Sequence, residues 1–177
     1  VGVLTADVVA QASAITGKGG QVTLTSVGRR GENHIQLAAN GGVCMVTFVP
    51  AFVSQECADW MTGLKAEATR RGLDPKDLSK LFSIKPEWER DHPVPQATLT
   101  QVADHVDHVR QVAGVEHVGL GGDFDGTEDV TAGLEDVSAY PALFAELLRR
   151  GWTESDCAAL AGGNLLRALR AAEAFAE

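Results

Sequence analysis

Seven residues, Val43-Cys44-Met45-Val46-Thr47-Phe48-Val49, form an almost unbroken apolar run that Pro50 stops. A strand with one wet face alternates; a run without alternation suits a strand buried on both faces, as in a parallel sheet covered by helices. Parallel neighbours need long crossovers, usually helical, so this run calls for strands alternating with helices. The rest of the chain supplies that rhythm.

Val1–Leu4 reads as a weak strand and Ala6–Ile15 as a helix ended by Gly17-Lys18-Gly19-Gly20. Gln21–Ser26 alternates and is β-branched, so it reads as a strand. Arg29-Arg30 follows in a glycine-flanked loop that could clamp a carboxylate bidentately or be an ordinary solvated pair. A short helix, Ile35–Ala39, closes at Asn40-Gly41-Gly42. After Pro50, Ser54–Arg71 predicts a helix ended by Gly72. Residues 74–95 form a polar excursion with four prolines, a short helix, Phe82 and Trp88. Thr98 or Thr100 caps a periodic helix with Val102, Val106, Val109 and Ala113 on one stripe and Asp104, Asp107 and Gln111 opposite. Gly114 ends it, and Val115–Leu120 reads as a short buried strand. Pro141–Arg150 is amphipathic, Thr153-Glu154-Ser155-Asp156 resembles a capping box, and Gly162-Gly163-Asn164 opens a last helix whose Leu165, Leu166 and Leu169 should pack inward.

The class is α/β with a parallel sheet, one domain over 1–177. Only four strands are legible, and a complete (β/α)8 barrel needs about 250 residues, so the chain supplies about half of one. A hydrophobic content of 45% supports a core. A net charge of −9, with no basic cluster longer than a pair, argues against nucleic acid and anionic membrane. No apolar run reaches the ~20 residues of a membrane span, and no signal-peptide pattern is seen. Cys44, Cys57 and Cys157 are odd in number and far apart, which reads as buried free thiols in a reducing, cytoplasmic setting.

Gly121-Gly122-Asp123-Phe124-Asp125-Gly126-Thr127 follows the strand and holds the chemistry. An acid just beyond the C-terminal end of a parallel strand lies where α/β folds place their sites; the plain alternative is an Asp-Gly turn. Asp123–Thr127 also spells the Asp-x-Asp-Gly-Thr nucleophile motif of haloacid dehalogenase-like, Mg2+-dependent phosphatases. Those enzymes carry it near the start with a downstream Lys, and here no Lys follows Lys85. A calcium loop of EF-hand type wants its glycine at the sixth position, not the fourth. Asp104-His105 and Asp107-His108 put two imidazoles at i, i+3, a spacing open to a metal but better read as helix-packing histidines flanking an apolar stripe.

From Asn40 to Glu173 the sequence resembles the membrane (renal) dipeptidase family of zinc peptidases, among the amidohydrolase-like barrels. The strings that carry the resemblance are Asn40–Phe48, Val102–Val109, Val112-Ala113-Gly114, Gly121–Gly126, Gly133–Ser138, Ala145–Trp152 and Gly163–Arg167. It covers about three quarters of the chain and implies the C-terminal half of a parallel (β/α)8 TIM-type barrel. It also implies hydrolysis of dipeptides by water activated on two zinc ions, with Asp123 managing the proton and Arg30 binding the substrate carboxylate. His105 and His108 have no metal role in that family.

The family's His-x-Asp pair and bridging Glu have no counterpart in this chain, and no His precedes His34. Residues 1–34 match only in strand-helix-strand pattern, so no metal ligand is assigned. An incomplete or rearranged gene product, a chain cut in part, and a relative that has lost its metals each account for this. A half barrel exposes a sheet edge, so a homodimer or pairing with a missing N-terminal half is expected. By itself the chain is expected not to hydrolyse dipeptides. The alternatives are a non-catalytic binding or assembly module on the same scaffold and, third, the phosphatase.

Overall fold

The computed structural model of the chain describes Leu37 and residues 41–176. The expected strands Val1–Leu4 and Gln21–Ser26, the helix Ala6–Ile15 and Arg30 lie outside the described residues. Of the helix at 35–39, Leu37 is helical and buried, and its carbonyl accepts the Gly42 N–H at 3.1 Å. Gly41, at φ +76°, makes that closing turn, a conformation glycine takes without strain.

Strand β1 (Cys44–Val46) pairs in parallel with β2 (Val118–Leu120), Cys44 opposite Val118, Met45 opposite Gly119 and Val46 opposite Leu120. Four helices join them: α1 (Pro50–Val53), α2 (Gln55–Arg70), α3 (Leu78–Asp91) and α4 (Leu99–Ala113). After β2 come α5 (Tyr140–Arg149), α6 (Glu154–Ala158), a five-residue π-type turn at Ala159–Gly163, and α7 (Asn164–Ala176). Two parallel strands with helical crossovers confirm the α/β class; a closed barrel is not visible among the described residues.

Local chemistry sets the boundaries. Ser54 accepts the Cys57 N–H to start α2, and Asp77 accepts from Ser79 and Lys80 to start α3. The two candidate caps of α4 resolve to Thr98, which forms a reciprocal capping box with Gln101. Thr153 and Asp156 do the same for α6.

The α4 stripe is buried as its spacing predicts: Val102, Ala103, Val106 and Val109 are fully enclosed and pack with Cys44, Val46, Val118, Leu143 and Leu147 in one core. Each such side chain contributes about 1.5–3 kcal/mol by leaving water. Burial pushes the Cys44 thiol up to about 12. All three cysteines are free and buried. The long excursion is a packed arm: Leu64 and Ala68 of α2 close over Leu81 and Ile84 of α3 in a second small core flanked by Trp60, Met61 and Trp88.

Three expectations need correction. The strands are three residues each, shorter than 43–49 and 115–120, and Val115–His117 is a 3-10 turn. Side chains of α7 and His117 satisfy the backbone there, so the ladder need not extend. Leu166 and Leu169 are half exposed, because the inward face of α7 is set by Asn164, Arg167 and Ala168. Asp104 and Asp107 do not simply face water. Arg150 Nη1 donates to Asp104 at 2.7 Å and to Asp107 at 2.8 Å, and Trp152 Nε1 donates to the other Asp107 oxygen at 2.7 Å. Glu146 accepts from Arg150 Nε at 2.7 Å and from Arg149, which holds its carboxyl below the usual range.

Candidate functional site

Beyond β2 the chain stays in register for one more residue, as the Gly121 N–H reaches the Val46 carbonyl at 2.9 Å. It then turns sharply. Gly122 is buried where a Cβ would lie 2.7 Å from the Phe124 ring and 2.9 Å from the Tyr140 hydroxyl, so no larger residue fits. Asp123 follows at φ +59°, the only non-glycine at positive φ among the described residues. Asp and Asn tolerate that region better than other residues, yet it is strained, and such strain gathers at functional sites. The Gly126 N–H closes the turn on the Asp123 carbonyl at 3.0 Å. The Asp123 carboxylate lies so close over Gly126 that a Cβ there would collide with it.

Asp123 is therefore exposed just past the C-terminal end of β2, where the sequence reading places it. Asp125, two residues on, is exposed as well. Behind them Phe48, Phe124 and Tyr140 form an aromatic wedge, with centroids 6.0 Å (Phe48–Phe124), 5.5 Å (Phe48–Tyr140) and 6.1 Å (Phe124–Tyr140) apart. Burial raises the Tyr140 hydroxyl pKa, partly opposed by a bond from the Gly122 backbone.

The far half of the loop is tied down by side chains. Thr131 Oγ1 donates to the Phe48 carbonyl at 2.6 Å, and Thr127 Oγ1 to the Asp129 carbonyl at 2.9 Å. The Ala132 N–H reaches Ala97 at 2.8 Å and the Leu99 N–H reaches Ala132 at 2.9 Å. Lys85, on α3, sends its ammonium to both Asp129 oxygens at 2.9 Å. Burial lowers its pKa, but the Asp129 bond and charge more than offset this and leave it above the ordinary lysine value. An open cleft of about 370 Å³, solvent mouth included, runs beside this loop between Val49, Pro50, Trp60, Met61, Pro95 and Asp129.

Sequence reasoning missed Lys85, Thr131 and Tyr140. Lys85 had a faint signal: with Leu81 and Ile84 it occupies the i, i+3, i+4 face that α3 turns inward. Thr131 and Tyr140 had none, since their partners are 83 residues away (Phe48) or across the loop.

The histidines of α4 do not gather a site. His105 is partly buried, its pKa lowered chiefly by that burial and partly restored by a bond to the Val53 backbone. Among the described residues no group of three or more His, Cys, Asp or Glu side chains is placed to hold a metal ion. The described residues by themselves therefore do not make up a metal centre.

His105 carries a pH prediction. Its folded pKa lies below the unfolded one, so as pH falls through the ordinary imidazole range near 6.5 the unfolded chain takes the proton first. Stability is full above that range and declines with acid. Urea titrations at pH 7.5 and 5.0 should show a loss that His105→Gln reduces; an identical loss in the variant refutes the assignment.

The sequence model of the family described as membrane dipeptidase, peptidase family M19, matches residues 32–177. The chain belongs to that family. Dipeptidase aclJ of Aspergillus oryzae is 37% identical over 140 residues, 77% of this chain and 33% of that relative. Dipeptidase 3 of Rattus norvegicus is 51% identical over 81 residues, 46% of this chain and 17% of that relative. The chain thus spans a third or less of these relatives' length. Among solved structures, the probable dipeptidase PvdM from Pseudomonas aeruginosa superposes with a TM-score of 0.63 at 25% identity, covering 82% of this chain and 42% of that one. The M19 match runs through Asp123–Thr127 and so accounts for the phosphatase-like string as part of a dipeptidase sequence.

Proposed function

We propose that this chain is the C-terminal part of a metal-dependent dipeptidase. In this reading it forms half of a (β/α)8 barrel, zinc is the metal, a dipeptide is the substrate and Asp123 handles the proton. The observation that carries the reading is the family match across 32–177, which includes the Asp123 loop. The geometry supports it. Asp123 is exposed, beyond the C-terminal end of a parallel strand, on a turn at positive φ with its carboxylate over Gly126.

A carboxylate so placed takes a proton from the attacking water and returns it to the leaving amine. Arg30, in the loop before β1, is assigned to the substrate's carboxylate by kinship; a guanidinium grips that group bidentately. Zinc is implied by kinship alone and would supply an activated water; its ligands would have to come from outside this chain. Pairing with an N-terminal half that carries those ligands completes the site; a second copy of this chain would cover the sheet edge without supplying them.

The test is release of free amino acids from a panel of dipeptides, with and without zinc, alongside metal analysis. It is run on the 177-residue chain and on the product of its open reading frame followed to both ends. Expected are zinc-dependent turnover by a product that includes His-x-Asp and a bridging Glu, and none by the chain alone. A zinc-loaded product of that kind without turnover on any dipeptide overturns the peptidase reading and favours a binding module.

A further inference from the structure

Lys85 is an odd residue to bury. It sits on α3, in the excursion, with its side chain 10% exposed, while Asp129, its partner across 44 residues, is 38% exposed. Glu89 at 3.6 Å and Glu128 at 3.9 Å complete a ring of three carboxylates round one ammonium. Lys85 shares the buried face of α3 with Leu81 and Ile84, which pack in the small core against α2. An enclosed ammonium left without its partner is costly, so α3 keeps its seat only while the Thr127–Asp129 segment stays against it.

That segment belongs to the loop that begins at Asp123. One end of the loop is fixed by the Gly121–Val46 bond, the other by Thr131 on the Phe48 carbonyl. Between these anchors, among the described residues, the turn at 123–126 is held by its own Gly126–Asp123 bond and by the Phe124 ring in the aromatic wedge. The middle of the loop is held from outside, by Lys85.

We propose that Lys85 is a positioning residue: its ion pair with Asp129 couples docking of the excursion helix to the conformation of the loop that presents Asp123. The excursion is thereby an arm that sets the acid loop. That this matters for catalysis rests on the peptidase reading; the coupling itself does not.

Hydrogen–deuterium exchange on the 177-residue chain, without substrate, tests the coupling. In Asp129→Asn and in Lys85→Met the amides of residues 124–131 should exchange about tenfold faster or more, with those of α4 unchanged. Lys85→Arg, which keeps the charge and the reach to Asp129, should restore most of the protection. A structural role alone predicts faster exchange everywhere and no rescue by Arg. Should Lys85→Met fail to fold, Asp129→Asn decides, since its carboxylate lies at the surface. Loop exchange within about twofold of wild type in Asp129→Asn, or a rise shared equally with α4, overturns the proposal. Failure of dipeptide turnover leaves this measurement intact, and its failure leaves the peptidase reading intact.

Discussion

In a full-length, zinc-loaded product of the proposed kind, Asp123→Asn is expected to lower kcat for dipeptide hydrolysis by about a hundred- to ten-thousand-fold, the range for removal of a positioned proton-transfer group. Asn is the discriminating substitution for a structural reason. Asp123 sits at φ +59°, where Asn is among the few residues that rest comfortably, and the amide has the carboxylate's size over Gly126. The loop should therefore keep its path while losing the group that accepts a proton. KM should change far less than kcat, because the lost interaction belongs to the transition state. Thermal melts and exchange of residues 124–131 should match wild type. Turnover within about threefold of the parent enzyme, in a variant with normal melts, would remove Asp123 from the chemistry. Asp123→Val would be uninformative, since a β-branched residue at positive φ strains the backbone itself.

The second large effect lies at the other end of the strands. Asn164→Ala should destabilise the fold by about 2–4 kcal/mol, the penalty for leaving two enclosed carbonyls without donors. Asn164 is 5% exposed, and its Nδ2 donates to the Val115 carbonyl at 2.7 Å and to the Val118 carbonyl at 2.8 Å. Arg167 continues the pattern, donating to Gly41 at 2.9 Å and Glu116 at 2.8 Å. His117 Nδ1 donates to Gly42 at 2.8 Å. Asn164 and Arg167 dock α7 on the entrances to both strands, and His117 ties those two entrances to each other. Against a typical total of about 5–15 kcal/mol, losing Asn164 consumes a large share. Asn164→Asp should be worse still, because a carboxylate would face two carbonyl oxygens with no proton to give. Equilibrium urea unfolding measures both. A shift under about 0.5 kcal/mol for Ala would mean that water or a neighbour satisfies those carbonyls.

The two regions divide along the strands. Asp123 lies beyond the C-terminal end of β2, on a turn that tolerates strain, while Asn164, Arg167 and His117 fix the N-terminal ends with buried hydrogen bonds. If Asp123 acts as proposed, chemistry at one end and stability at the other is the division expected of a parallel α/β scaffold.

Much of this was legible in the residues alone. The unalternating run at 43–49 pointed to a parallel strand, and the β1–β2 pair is parallel, although burial along it alternates, with Met45, Thr47 and Val49 only partly covered. The valine stripe of α4, its termination at Gly114, a threonine cap at 98 or 100 and the box at Thr153 followed from period and capping chemistry, which act over three or four residues. The Asp123 loop was legible because glycine spacing and strand-end position are local facts. Leu166 and Leu169 misled because helical spacing names candidate faces but does not say which face turns inward.

Local signals were thus determined by sequence: where the capped helices begin and end, which helix faces can be apolar, and which acid follows the strand. Tertiary structure alone decided how those elements pair charges and close over one another: Lys85 on Asp129, Arg150 between Asp104 and Asp107, Thr131 on the Phe48 carbonyl. The physical reason is reach. A capping or periodic signal spans one turn, whereas these contacts join residues 43 to 83 positions apart, and only the folded backbone brings such groups within a hydrogen bond.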